Sequence, residues 1–245
     1  MLRLVSIAIL IGAWYAGSLL AGERMLPGPA AVLAAIVEEA RSGALALHLA
    51  ATLARVALAF SLAMAIGTAL GLLMGRVKLA DKLGDPWLVV LLNLPALVVI
   101  ILAYVWGGLT EAAAIAAVAI NKLPNTIVTI REGARALDPA LDEMARVFAM
   151  PRARAIRHVV MPQVAPYFAA AARSGLSLVW KIVLVVELLG RPNGIGFEMG
   201  TAFQLFDVTR ILAYALVFVA VMLTIETVVV QPLERRASRW RVGTA

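Results

Sequence analysis

The feature that most constrains this chain is a series of apolar runs, each about 17–25 residues long and separated by breakers. A run of that length matches about 30 Å of hydrocarbon at about 1.5 Å per helical residue. The runs are Leu4 to Leu20, about Leu49 to Met74, Trp87 to Trp106, Ala112 to Ile130, Val164 to Leu189 and Ile211 to Val230. Between them fall Pro27-Gly28-Pro29, Gly84-Asp85-Pro86, Gly107-Gly108, Pro151 and Arg191-Pro192-Asn193-Gly194. In hydrocarbon the backbone must satisfy its own polar groups, so such runs become helices. The expectation is an all-α polytopic membrane protein with about six transmembrane helices. With 62% of its 245 residues hydrophobic and 15% charged, the chain leaves nothing for a separate soluble domain. Residues 1–245 are read as one membrane domain.

The formal charge of +7 would suggest nucleic acid or anionic partners on a soluble protein. Here its distribution explains it, and no nucleic-acid partner is expected. Arg3, Arg76, Lys78, Lys82, Arg131, Arg135, Arg146, Arg152, Arg154, Arg157, Arg235, Arg236, Arg239 and Arg241 fall on one side of the alternating spans. Only Arg24, Arg41, Arg191 and Arg210 fall on the other. Basic residues collect in cytoplasmic loops, which places both termini in the cytoplasm. A cleaved leader at the first run is the alternative; it leaves five spans in the same orientation. The absence of cysteine excludes disulfides and thiolate sites.

Within the spans, Gly67, Gly71 and Gly75 recur every four residues on one helix face. They predict close approach of another helix, within the subunit or across a dimer. Pro95 and Pro124 predict breaks in the third and fourth spans, each a kink buried against protein or lining a cavity. Polar residues at membrane depth mark cavities or pairs. Asn93, Trp180, Lys181 and Glu187 are candidates for a solute route, with Lys181 a cation able to attract an anion. Glu187 also suits bracing of the 191–194 loop. Arg55 and Glu226 read as structural.

Residues 131–162, REGARALDPALDEMARVFAMPRARAIRHVVMP, are too polar to cross a membrane and too long for a turn. Asp138-Pro139 is a helix start. Leu141, Met144, Val147 and Phe148 recur at helical spacing, and the helix breaks near Met150-Pro151. Arg152 to Arg157 form a short basic segment leading into the fifth span. The result is a helical hairpin carrying an apolar ridge and arginines. It suits docking to a protein partner or lying on anionic membrane lipid.

This loop resembles the E-A-A-x3-G-x9-I-x-L-P segment of permease subunits of bacterial ATP-binding-cassette importers. Glu143-Met144-Ala145 stands at E-A-A, Ala149 at the glycine, and Val159-Val160-Met161-Pro162 at the close, with the spacing kept. Leu26-Pro27-Gly28-Pro29 with Val32 is similar to the segment after the first span. LHLAATLARVALAF at 47–60 resembles H-L-x-x-S-L-x-R-V-x-x-G-F, and Pro124-Asn125-Thr126 a shortened P-x-x-x-N-T. Trp180 and Glu187 resemble A-W-x-x-x-V-x-A-E, and Gly194-Ile195-Gly196 the G-L-G after it. The ordered set covers nearly the whole chain. It is most similar to the subgroup handling sulfonates such as taurine, nitrate, bicarbonate and thiamine pyrimidine precursors.

The resemblance implies a type I importer permease in a bacterial plasma (inner) membrane. A pair of permease subunits, expected as a homodimer, works with two cytoplasmic ATPases and a periplasmic or tethered binding protein. The solute is small and anionic or polar. The 131–162 loop becomes a coupling loop, with Ala149 to Arg157 docking into the ATPase. Its implied coupling residues are Glu143, Ala145, Ala149, Met150, Pro151, Arg152, Arg154 and Pro162. The chain holds no G-x-x-x-x-G-K-[ST] segment; ATP and magnesium belong on the ATPase, and neither a catalytic residue nor a metal site is expected here. A membrane-embedded enzyme and a non-transporting scaffold are the rival classes.

Overall fold

The computed structural model describes residues 2–232. Arg235, Arg236, Arg239 and Arg241 lie outside the described residues. The elements, in order, are α1 (Leu2–Ala21), α2 (Pro29–Arg41), α3 (Ala44–Arg76), α4 (Lys78–Asn93), α5 (Ala96–Gly107) and α6 (Glu111–Arg135). They continue with α7 (Pro139–Val147), α8 (Arg152–Ala155), a π turn (Ile156–Val160), α9 (Met161–Gly190), α10 (Ile195–Gln204), α11 (Val208–Ile225) and a second π turn (Glu226–Val230). No strand occurs among the described residues.

Four of these helical stretches are long and apolar enough to cross a membrane: 44–76, 111–135, 152–190 and 208–230. The pair α4 and α5, bent by 99°, makes a fifth. The first run expected to span falls on α1, whose apolar part, Val5–Ala21, is shorter than the other four helices.

The bent pair sharpens the expectation for the third span. The helix ends at Asn93 because Leu94 precedes a proline; it adopts φ −71° and ψ 126°, and Pro95 then caps α5. Two other proline expectations are corrected. Gly84-Asp85-Pro86 does not separate elements, because α4 runs through it. Pro86 frees the Lys82 carbonyl on an exposed stretch, where water can take it. Pro124 likewise leaves α6 unbroken. Packing on two sides holds that helix through the missing hydrogen bond.

The chain divides into two compact units, one of residues 1–54 and 183–223, the other of 55–182 and 224–245. In the second unit α6 is the central helix. The glycine ladder of α3 lies against it: a Cβ at Gly67 would fall 2.7 Å from Thr126 Cβ, and one at Gly71 would fall 2.8 Å from the Ile127 carbonyl oxygen. A Cβ at Gly75 would fall 2.8 Å from the Arg131 carbonyl oxygen. Both residue numbers rise together along this contact, so α3 and α6 run parallel, packed within one subunit. On another face α9 runs antiparallel to α6, with Gly133 under the Tyr167 ring and Lys122 against Gly175. Parallel α3–α6 and antiparallel α6–α9 agree with alternating spans.

Charged side chains close the ends of α6. Glu111, in its first turn, takes a bidentate pair from Arg55 on α3, at 2.9 Å to Nε and 2.7 Å to Nη2. Thr110 caps the helix, accepting from the Ala113 amide at 3.2 Å. At the other end Arg131 reaches Asp85 at 2.6 Å and Asp81 at 3.3 Å on α4, and Arg135 also pairs with Asp81. Arg173 and Glu226 form a further pair at 3.4 Å.

In the first unit, α1 and α2 are joined by a turn in which Trp14 Nε1 donates to the Pro27 carbonyl at 3.0 Å. The amphipathic helix α2 and the short α10 were not foreseen from the spans.

The glycine ladder makes a direct prediction. Gly71→Leu drives a side chain into backbone that cannot yield, and overpacking of this kind costs roughly 1–3 kcal/mol or more. Its melting temperature in detergent should fall clearly, whereas Gly12→Leu, where the space beside the glycine is open, should leave it nearly unchanged.

Candidate functional site

The first candidate site is the 136–162 hairpin. Asp138 caps α7 by accepting from the Ala140 amide at 2.9 Å, with Pro139 at the first position. Asp142 ties the helix to the last turn of α3 through Arg76 at 2.8 Å. Ala145 and Val159 are buried beneath the hairpin.

The bend is a Schellman turn. The Met150 amide donates to the Ala145 carbonyl and the Ala149 amide to the Arg146 carbonyl, both at 2.9 Å. Ala149 sits at φ 46°, where a glycine would sit without strain. The expected bend therefore forms with alanine in place. Beyond it, Pro151 starts α8, and the π turn carries the chain into α9 with no interruption of helix from 152 to 190.

Of the residues the resemblance marks for coupling, Glu143, Ala149, Pro151, Arg152, Arg154 and Pro162 are exposed, Met150 is half-buried and Ala145 buried. Val147 is 82% exposed, Phe148 75% and Ile156 52%. Asp142, not Glu143, makes the ion pair that anchors α7. A groove of about 700 Å³ between hairpin and α3 is lined by Arg76, Asp142, Arg146, Met150, Arg152 and Ile156, among others. The hairpin exposes apolar side chains, and Arg76, Arg146 and Arg152 line the groove with Ile156.

The second candidate site is a buried polar network in the first unit. Glu187, with no exposed surface, accepts from the Thr52 hydroxyl and the Gly196 amide, each at 2.9 Å. The Thr52 oxygen accepts from the Ile195 amide at 2.8 Å. Gly194 adopts φ 116°, and a Cβ there would collide with the Glu187 carboxylate. The Gly194 amide donates to His48 Nδ1 at 3.0 Å. That bond assigns the ring proton to Nε2, which lies 3.1 Å from Glu198 Oε1. Arg210 bridges Glu198 at 2.9 Å and Glu39 at 3.1 Å, and the Tyr214 hydroxyl donates to Glu39 at 2.7 Å.

His48 and Thr52 of the 47–60 segment thus meet Glu187 and Gly194-Ile195-Gly196, which the sequence shows as separate segments. Glu39, Glu198 and Tyr214 were missed. They lie on α2, α10 and α11, and no local pattern links positions so far apart.

The route candidates separate. Lys181 is exposed on α9, and Asn93 is exposed at the α4–α5 break with its amide donating to the Val89 carbonyl at 2.7 Å. Trp180 is buried, and Glu187 belongs to the network.

The model of the family described as "Binding-protein-dependent transport system inner membrane component" matches residues 67–238. A probable ABC transporter permease protein of Brucella abortus is 30% identical over 240 residues, covering 98% of this chain and 95% of the relative. A putative aliphatic sulfonates transport permease protein of Escherichia coli is 33% identical, covering 89% and 82%. A riboflavin transport system permease protein of Chloroflexus aurantiacus is 34% identical, covering 98% and 90%. The fold is shared with a chain of the inward-facing MetNI methionine ABC transporter, at a TM-score of 0.63 and 18% identity, covering 76% of this chain and 92% of that one.

Two substitutions probe the sites. Thr52→Val leaves the Ile195 amide without its acceptor and removes one of the hydrogen bonds to Glu187, at a cost of about 1–3 kcal/mol; amide exchange at Ile195 should speed up, and unchanged protection would contradict the network. Ala149→Gly relieves the left-handed alanine and should stabilise the hairpin by about 1 kcal/mol, read as slower exchange of the Met150 amide. The matched family and the relatives, on an all-helical fold, together make this chain a permease subunit of a binding-protein-dependent ATP-binding-cassette importer.

Proposed function

We propose that the chain is the membrane subunit of an importer for a small anionic solute, working as a homodimer on a pair of cytoplasmic ATPases. The observation that carries the coupling part is the hairpin. Phe148, Val147 and Ile156 stand out beside Arg152 and Arg154 on an element tied down by Asp142–Arg76. Exposed apolar side chains held rigidly in a basic rim suit a partner better than water. In this reading Ala149 to Arg157 docks into the ATPase, both termini face the cytoplasm, and residues 1–245 act as one permease domain. Closure of the ATPase pair moves the hairpin and reorients the spans, as rigid-body alternating access requires. ATP and magnesium are held by the partner, and this chain performs no catalysis of its own.

The solute class rests on cations within the spans. Relatives' names range from aliphatic sulfonates, taurine and nitrate to riboflavin. Lys181, exposed on α9, favours the anionic members of that range. Asn93 is kept as a second residue of the route. Glu187 and Trp180 serve it indirectly, by fixing the backbone at its outer end and the packing of α9.

The test is uptake into proteoliposomes holding the chain with its ATPase and binding protein, supplied with labelled ethanesulfonate, nitrate or riboflavin. Arg152→Glu should cut uptake and binding-protein-stimulated ATP hydrolysis at least tenfold while the purified chain still folds. Uptake that survives Arg152→Glu and Glu143→Ala together would remove the coupling role. Import of riboflavin alone would remove the anion reading.

A further inference from the structure

The sequence marked Lys181 as the cation of interest. The structure draws attention instead to Lys122. It stands at the middle of the fourth apolar run, has no exposed surface, and its ammonium makes one hydrogen bond, to the Ala171 carbonyl at 3.0 Å. Among the described residues no carboxylate pairs with it. A buried ammonium offers three donors and a full charge, and a single carbonyl dipole satisfies little of either. The other buried charged residue described in this unit, Arg55, has a charged partner in Glu111.

The space for this lysine is built. Gly175 on α9 stands where any side chain would overlap the end of Lys122. The lysine therefore crosses α9 at a glycine gap and ends against the Ala171 carbonyl. The Ser174 hydroxyl donates to that same carbonyl, at 3.3 Å. Ammonium and hydroxyl thus lie within two hydrogen-bond lengths of each other, and Ser174 is exposed.

Ser174 belongs to a polar stripe. Arg173, Ser174, Ser177 and Lys181 occupy about 100° of the α9 surface, at about 100° per residue, and all four are exposed. Ser174 and Ser177 straddle the midpoint of the apolar run 164–189. By the antiparallel register that pairs Gly133 with Tyr167 and Lys122 with Gly175, the exposed Asn125 of α6 lies at the level of Ser174. Polar side chains facing outward at mid-membrane are costly against lipid and belong on a water-filled passage.

We propose that Lys122 is the fixed positive charge of an anion site in the translocation path, with Ser174 and Ser177 as its surface and Lys181 as a second cation along the same stripe. The inference rests on the importer reading and deepens it. The ligand chemistry is a small oxyanion such as a sulfonate. Its oxygens accept from the serine hydroxyls while its charge offsets the buried ammonium. Lys122 acts as a specificity residue through the field it sets at Ser174.

The chain contains no cysteine, so a single thiol can be placed at will. Ser174→Cys is introduced into the complex assembled with a cysteine-free ATPase. The rate of modification is compared for a methanethiosulfonate carrying an ethylsulfonate and one carrying an ethyltrimethylammonium. Both should react, the sulfonate faster. A unit charge about 6 Å away in a site of effective dielectric about 20 shifts such a ratio tenfold or more, so Lys122→Met should reduce the preference at least tenfold. Methionine is apolar and of similar length, and still fills the gap at Gly175. If Lys122→Met fails to assemble, Ser174→Cys and Ser177→Cys are compared in a Lys181→Met background, and the sulfonate preference must be greater at position 174. A thiol at 174 inert to both reagents, or a preference indifferent to Lys122, overturns the proposal. Uptake that persists with no such preference removes the anion site alone. A thiol preference in a complex that imports nothing removes the importer reading alone.

Discussion

The close contact of α3 on α6 is the constraint from which the rest of the second unit follows. Three glycines one turn apart let two backbones run side by side, with Thr126, Ile130 and Ala134 filling the gaps. Between apolar helices in lipid there is little hydrophobic drive, so close packing carries the association. Once α6 is fixed on that side, its other surfaces are committed. Asp81 and Asp85 hold its basic end, and Tyr167 covers Gly133. The side chain of Lys122 has only the glycine gap of α9 to enter. Pro124 is tolerated for the same reason, since neighbours on two sides hold the helix across the lost hydrogen bond.

The first unit is organised by polar satisfaction instead. The turn between α9 and α10 would leave the amides of Gly194, Ile195 and Gly196 unsatisfied in a buried place. His48, Thr52 and Glu187 each accept one of them. Buried amides at a helix start are costly when unmade, so these three side chains act as a set. The acids and Arg210 beyond His48 extend the set to α2 and α11 and so tie five elements by hydrogen bonds and charge.

Much of this was legible in the sequence because local spacing encodes it. The span lengths, the glycine ladder, the Asp138-Pro139 helix start and the break near Met150-Pro151 each depend on residues within one or two turns. The break at Pro95 was legible too, but its 99° angle was not. Prolines 86 and 124 misled, because a proline announces a lost hydrogen bond and only tertiary packing decides whether the helix ends. The convergence of His48, Thr52 and Glu187 was visible only as separate segments. The burial of Lys122 was hidden because its accommodation depends on a single glycine on another helix. Lys181, selected for its charge beside a tryptophan, is exposed, whereas the more constrained cation stands on α6.

The unbroken helix from Arg152 through the π turn and along α9 has a mechanical meaning. The exposed segment after the hairpin bend and the polar stripe of α9 are parts of one rod. Ser174 stands about 24 Å along the axis from the π turn, at about 1.5 Å per residue. A pivot of about 10° there would sweep the serine sideways by about 4 Å, farther than a hydrogen bond is long. Lys122, borne by a helix locked to α3, would not follow. Such a stroke would draw Ser174 and the Ala171 carbonyl away from the Lys122 ammonium and unmake the α6–α9 contact at the Gly175 gap.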